Sequence, residues 1–213
     1  MQVISVGRRL LVSAILLSLA ACATQTQIGD TTQPLMPEGT GLVAATVYFT
    51  NPTQPTATKM RFGFHLRYGP TDGKGEEWLL NRSDNRYFWS KDLRAQPDED
   101  YAKLLLAVVK PGKYHLTQGD VTPMSSNRSF FLKEKNITNA REFEVVAGQV
   151  TYIGSIQMSY ATQFDIRDNK YGGAFVPSYM NMSVKNDFDR DVRELKSLDK
   201  RLESVVFKNA LQK

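Results

Sequence analysis

Residues 59–68 constrain the fold more than any other stretch of the chain. Met60, Phe62, Phe64, Leu66 and Tyr68 alternate there with Lys59, Arg61, Gly63, His65 and Arg67. Successive side chains of a strand point to opposite faces, so this period of two lays the apolar set on a core and leaves the other set in water. A helix would repeat its apolar positions at steps of three and four instead. Val43, Ala45, Val47 and Phe49 carry the same rhythm just upstream. The link between the two runs holds Asn51-Pro52 and Gln54-Pro55, which cannot continue a central strand because proline lacks the N–H that a ladder needs.

Further strands follow from the same reasoning. Residues 104–109 form a continuous apolar run ending before Pro111-Gly112, as expected of a strand buried on both faces. Residues 113–118, 129–133, 141–146, 163–167 and 179–185 also read as strands. In 150–160, Val150, Tyr152, Gly154, Ile156, Met158 and Tyr160 fall on one face by strict alternation, with Ala147-Gly148 as the preceding turn. Turn signals every eight to twelve residues point to an antiparallel β-sandwich. The closing segment changes period. Phe188, Val192, Leu195, Leu198, Leu202 and Val205 recur at three and four, which predicts an amphipathic helix of about five turns over about 187–207. Asn186 or Asp187 can cap it, and Asp189 and Asp191 suit its positive end. The expected architecture is mainly β, a sandwich with one C-terminal α-helix in a single domain over 41–213.

Nothing covalent is available to staple this domain. A single cysteine, Cys22, forms no bridge within 213 residues, and a chain of this size buries enough of its surface, about 70%, for a core alone to suffice. Ahead of the strands, Arg8 and Arg9, an apolar run over 10–19, and Ala20-Ala21 follow the three-part plan of a secretory signal over 1–21. The run is shorter than the about 20 residues of a spanning helix.

Leu19-Ala20-Ala21-Cys22 resembles the lipobox of bacterial lipoprotein precursors. The resemblance implies a diacylglycerol on the Cys22 thiol, cleavage before it by signal peptidase II, and acylation of the new amino terminus with palmitate or a similar chain. Cys22 is thus the expected lipidation site and the lipid bilayer the expected partner. Ala23, where an Asp would resemble the inner-membrane retention signal, favours the outer membrane facing the periplasm. Gly7 and Leu10-Leu11-Val12 depart from the twin-arginine motif, which leaves general secretion. Residues 22–40, rich in Thr, Gln, Gly and Pro with Pro34 and Pro37, read as a lipidated flexible tether. Loss of two arginines with the signal leaves 25 of 27 Lys+Arg against 22 Asp+Glu, formally +3. So small a charge does not match the clustered basic footprint of a nucleic-acid binder.

Lys110-Pro111-Gly112-Lys113-Tyr114-His115-Leu116, Phe143-Glu144-Val145 and Gly148-Gln149-Val150-Thr151-Tyr152-Ile153-Gly154 together resemble a group of uncharacterised bacterial envelope lipoproteins. These have a transthyretin-like or carboxypeptidase-regulatory-like sandwich. The resemblance implies a fold and no settled activity.

Signals for chemistry are sparse. Asp187, Asp189 and Asp191 alternate like the start of a calcium loop, but Val192 and Leu198 stand where Gly and Glu are needed. Gly73-Lys74 lacks the spacing and the Ser or Thr of a phosphate loop. His65 and His115 have no carboxylate or Cys at zinc-ligand spacing. Nucleophile elbows and paired metal-binding histidines are absent from the sequence, so no catalytic residue, metal or cofactor is assigned. Trp78, Tyr87, Phe88 and Trp89, set among charged residues, form a candidate binding patch for a sugar or protein; the alternative reading makes them core residues on short strands. The expected function is a membrane-anchored envelope lipoprotein, a non-enzymatic binding or structural module whose partner is another envelope protein or a glycan. A periplasmic hydrolase acting on cell-wall or glycan material is the alternative. The helix is expected either to cover its own sheet or to dock on a partner.

Overall fold

The computed structural model describes residues 34–52, 62–75, 77–80, 89–93, 101–123, 130–133, 137–138, 141–165 and 174–212. In chain order the strands are β1 (Gly41–Thr50), β2 (Phe62–Pro70), β3 (Trp78–Leu80), β4 (Trp89–Leu93), β5 (Tyr101–Val109) and β6 (Gly112–Pro123). They continue as β7 (Phe130–Lys133), β8 (Ile137–Thr138), β9 (Phe143–Val145), β10 (Val150–Asp165) and β11 (Ala174–Lys185). Helix α1 (Phe188–Leu198), a 3-10 turn (Lys200–Leu202) and β12 (Phe207–Asn209) close the chain. The protein is mainly β, with one helix near the C-terminus.

Two sheets stack. One has the order β4-β5-β1-β10-β11-β8, with β12 also paired to β10; the other has β3-β2-β6-β7, with β9 paired to β6. The edge strands of the smaller sheet approach the larger one, β3 at β5 and β7 at β11. Val43, Ala45, Val47 and Phe49 of β1 pack with Phe64, Leu66 and Tyr68 of β2 in the core between the sheets. A second cluster lies on the other face of the larger sheet. Leu42, Ala44, Leu104, Leu106, Val150 and Tyr152 meet Leu195 of α1 and Leu202 there. The molecule therefore has three layers, and α1 covers its own sheet. All ten residues of β1 are buried, so the alternation read in that strand describes only half of what it buries. In β5 the continuous apolar run serves both cores, Leu104 and Leu106 toward α1 and Leu105, Ala107 and Val109 toward the second sheet.

The larger sheet is mixed rather than antiparallel. β1 runs parallel to β10, β10 to β12, and β11 to β8. β1 and β10 both set out from the same end, where the Gly148 N–H donates to Thr40 O and the Leu42 N–H to Gln149 O, each at 2.9 Å. A parallel pair needs a long crossover, and the whole second sheet provides it.

The strict alternation expected along 150–160 is also corrected. Ala44 lies opposite Tyr152, but Thr46 lies opposite Ser155, so β10 holds one extra residue at this point. Such a bulge reverses the parity of everything beyond it. Val150 and Tyr152 face α1, whereas Ile153, Ile156, Met158 and Tyr160 face the second sheet. Gly154 sits in the bulge at φ 116°, a region that L side chains rarely adopt, and a Cβ there would press on Val184 Cγ1 and the Lys185 carbonyl. Residues 163–165, expected as a separate strand, simply continue β10.

Helix α1 ends sooner than the period of three and four suggests. The Asp199 side chain accepts from the Arg201 N–H at 2.9 Å, a local bond by which Asp competes with helix continuation. The chain turns through the 3-10 segment and enters β12 instead, while Leu202 and Val205 still reach the same cluster. Neither expected side-chain cap is seen: Asp187 holds the N-cap position without a capping bond, and Asn186 Oδ1 accepts from Asn209 Nδ2. At the other terminus, Leu35 and Met36 pack on the α1 side of the larger sheet, so ordered contacts begin before residue 41.

Two substitutions test this layering by urea unfolding. Leu195→Ala is expected to cost about 2–5 kcal/mol, as for a fully buried leucine. Gly154→Ala is expected to cost at least the about 1–3 kcal/mol of overpacking; an unchanged midpoint in either would contradict the packing described.

Candidate functional site

The most concentrated polar chemistry lies beneath α1. Asp191 is fully buried, 0% exposed, on the stripe that also carries Leu195 one turn on. Its Oδ2 accepts from the Tyr152 hydroxyl at 2.7 Å and the Ser155 hydroxyl at 3.1 Å. Its Oδ1 accepts from Arg190 Nε at 2.8 Å. Arg190 also donates from Nη2 to Ser155 Oγ at 2.9 Å and approaches Asp187 Oδ2 at 3.4 Å. The bulge in β10 makes this convergence: it turns Tyr152 and Ser155 to the same side with two residues between them, where simple alternation would oppose them. Burial pushes the Tyr152 phenol well above its ordinary pKa, and the adjacent Asp191 charge adds to that. Both carboxylate oxygens are engaged. The arrangement locks a helix to a sheet, whereas the sequence pattern places Asp191 only as an acid at the positive end of a helix; the usable signal is an acid on an otherwise apolar stripe.

A related bond fixes the helix end. Arg201 donates to both oxygens of Asp199, from Nη2 to Oδ2 at 2.6 Å and from Nε to Oδ1 at 3.0 Å. These bonds hold the Asp199 carboxyl below the usual carboxylate range, against the opposing effect of burial.

The aromatic candidates are divided. Cys22, Tyr87 and Phe88 lie outside the described residues. Trp89 opens β4 on the edge of the larger sheet, and Trp78 opens β3 on the edge of the smaller one. Trp78 lies directly across from Tyr68. The two rings stack at 4.6 Å and 15°, with Tyr114 and Phe143 edge-on to Trp78 at 5.8 and 6.3 Å. Trp78 is thus a rim residue of the inter-sheet core. Its buried Nε1 has no hydrogen-bond partner among the described residues, and burial raises the pKa of both Tyr68 and Tyr114.

β2 and β6 carry polar side chains on the outer face of the smaller sheet. His65 and Asp120 sit opposite each other on β2 and β6, with Nδ1 and Oδ1 2.9 Å apart. Arg67 meets Glu77 at 3.3 Å, and the Thr117 hydroxyl donates to the Arg67 carbonyl. Pairs as exposed as these contribute about 0–1 kcal/mol. Among the described residues no three His, Cys, Asp or Glu side chains gather as a metal site requires. His115 lies on β6, opposite Gly69 rather than His65.

No family model matches the chain, and no curated protein matches it. Among solved structures the chain is similar to a leucine-rich repeat protein from Bacteroides thetaiotaomicron VPI-5482, at 12% identity and a TM-score of 0.33. That likeness covers 75% of this chain and 16% of the other, and at so low a TM-score it carries no argument.

Asp191→Ala leaves the buried Tyr152 and Ser155 hydroxyls without their acceptor, while the half-buried Arg190 keeps Asp187, and is expected to cost about 1–3 kcal/mol for each hydroxyl. Tyr152→Phe removes one bond to a charged group, about 1.5–3 kcal/mol. Asp189→Ala, two residues away and exposed, should stay within about 0.5 kcal/mol; equal effects of the two Asp substitutions would refute the latch. A folded-state pKa below the unfolded value of about 4 stabilises above that value and ceases to do so as pH falls through the folded one. The stability gap between wild type and Asp199→Asn should accordingly be level above about pH 5 and shrink under acid. A gap that widens as pH falls would contradict the Arg201 pairing.

Proposed function

We propose that the protein is an envelope lipoprotein, held to a bilayer by acyl chains on Cys22, whose domain works as a non-enzymatic binding or structural module. The observation that carries this reading is Leu19-Ala20-Ala21-Cys22 directly after a signal-like 1–21, with Cys22 the only cysteine in the sequence. A thioether gives that sulfur a use in an oxidising compartment, where a spare thiol is a liability. Each buried methylene adds about 0.8 kcal/mol of membrane affinity, and two or more chains anchor stably where one is marginal. Ala23 favours the periplasmic side of the outer membrane.

The three-layer packing supports a module of this kind. The apolar face of α1 is turned to its own sheet, so a partner would meet polar surfaces such as the His65, Arg67 and Asp120 side of the smaller sheet. Another envelope protein or a glycan is the proposed partner class. Cys22→Ala should abolish incorporation of labelled palmitate and leave precursor uncleaved; a variant that still takes up palmitate would overturn the anchoring.

A further inference from the structure

We infer that the layer formed by α1 is the side of the domain that faces the lipid headgroups, and that the outer face of the smaller sheet, with His65, Arg67 and Asp120, is turned away from them. The inference rests on the anchoring proposed above and adds an orientation to it. The N-terminal approach to the domain is set by Leu35 and Met36, which pack against the cluster that Leu42, Leu104, Leu195 and Leu202 form on the helix side of the larger sheet. Pro34 before them is exposed. The acylated sulfur would be at Cys22, 12 residues upstream of Pro34.

Lengths decide the geometry. Twelve residues reach at most about 43 Å fully extended, and a coil of that length averages about 20 Å. A domain of about 180 residues has a radius of gyration of about 16 Å, hence a width of about 40 Å. With the α1 layer toward the bilayer, the root of the tether lies within the average reach of a coil. Presenting the opposite sheet would carry the root across the full width of the domain and draw the link almost straight, at the loss of nearly all its conformations.

The outward stripe of α1 suits such contact. Asp189, Arg193 and Ser197, spaced one turn apart, are exposed, as is Lys200 beyond them. This is a polar surface of mixed charge, fit to lie against zwitterionic headgroups without entering the hydrocarbon. Its apolar side is occupied by Leu195 on the sheet, so the contact asks for no rearrangement of the fold.

The full-length acylated protein, reconstituted on vesicles of phosphatidylethanolamine and phosphatidylglycerol that carry a nitroxide on the headgroup, tests this. Lipid blocks Cys22, so one added cysteine takes a fluorescent label uniquely. A label at Ser197→Cys should be quenched at least threefold more strongly than one at His65→Cys, which is on the far sheet and 53% exposed. Lys200→Cys and Arg67→Cys repeat the comparison should either first variant fold poorly. Flotation with equal or reversed quenching overturns the orientation and leaves the anchoring intact. Disulfide formation between Ser197→Cys copies shows a second copy covering α1 and also overturns it. Failure to float, with a mass showing an unmodified Cys22, overturns the anchoring itself and the orientation with it.

Discussion

A strand with two apolar faces cannot sit in a sandwich of two layers, because one of its faces would meet water. β1 is such a strand, buried along all ten residues, and it lies between β5 and β10, which share the condition over part of their length. The larger sheet therefore needs two covers. The smaller sheet is one and α1 is the other. Apolar contact alone holds a helix without defining how it slides or turns, since burial is non-directional. The bonds from Tyr152, Ser155 and Arg190 to Asp191 are directional, and they set α1 at one register against β10.

The sequence displays these features unevenly. Alternation in β2, the dense apolar run in β5 and the three-and-four rhythm of α1 report local geometry, and local geometry survives folding. The parallel pairing of β1 with β10 joins residues more than a hundred positions apart, as Leu42 with Val150, which no window of sequence contains. The bulge at Gly154 shifts the parity of β10 midway, so a run that reads as one face splits between two cores. Asp199 shows why the end of α1 was misplaced. Leu202 and Val205 keep the helical spacing because they serve the same cluster, although the backbone between them and α1 is no longer α-helical.

The candidate site was legible in kind more than in place. Trp78 and Trp89 are near in sequence, but the chain passes from one sheet to the other between them, and Trp78 spends its ring on Tyr68, Tyr114 and Phe143. Asp191 was visible as an acid in a first helical turn; what hid its burial was the bulge that brings Tyr152 and Ser155 together. At the other end of the chain, Leu19-Ala20-Ala21-Cys22 is a short contiguous motif, legible without the help of a fold. Between the two ends there is a physical link: Leu35 and Met36 pack on the face of the larger sheet that α1 also covers, so the proposed anchor and the closing layer would share a side.

Helix α1 is a wall of this domain and not an arm held out for a partner. Native-state hydrogen exchange of the free protein tests it most directly, by comparing the amides of α1, such as Leu195 and the Asp199 N–H bonded to the Leu195 carbonyl, with those of β1. Both sets should exchange only by global unfolding and share one free energy. Helix amides that exchange orders of magnitude faster while β1 stays protected would contradict it.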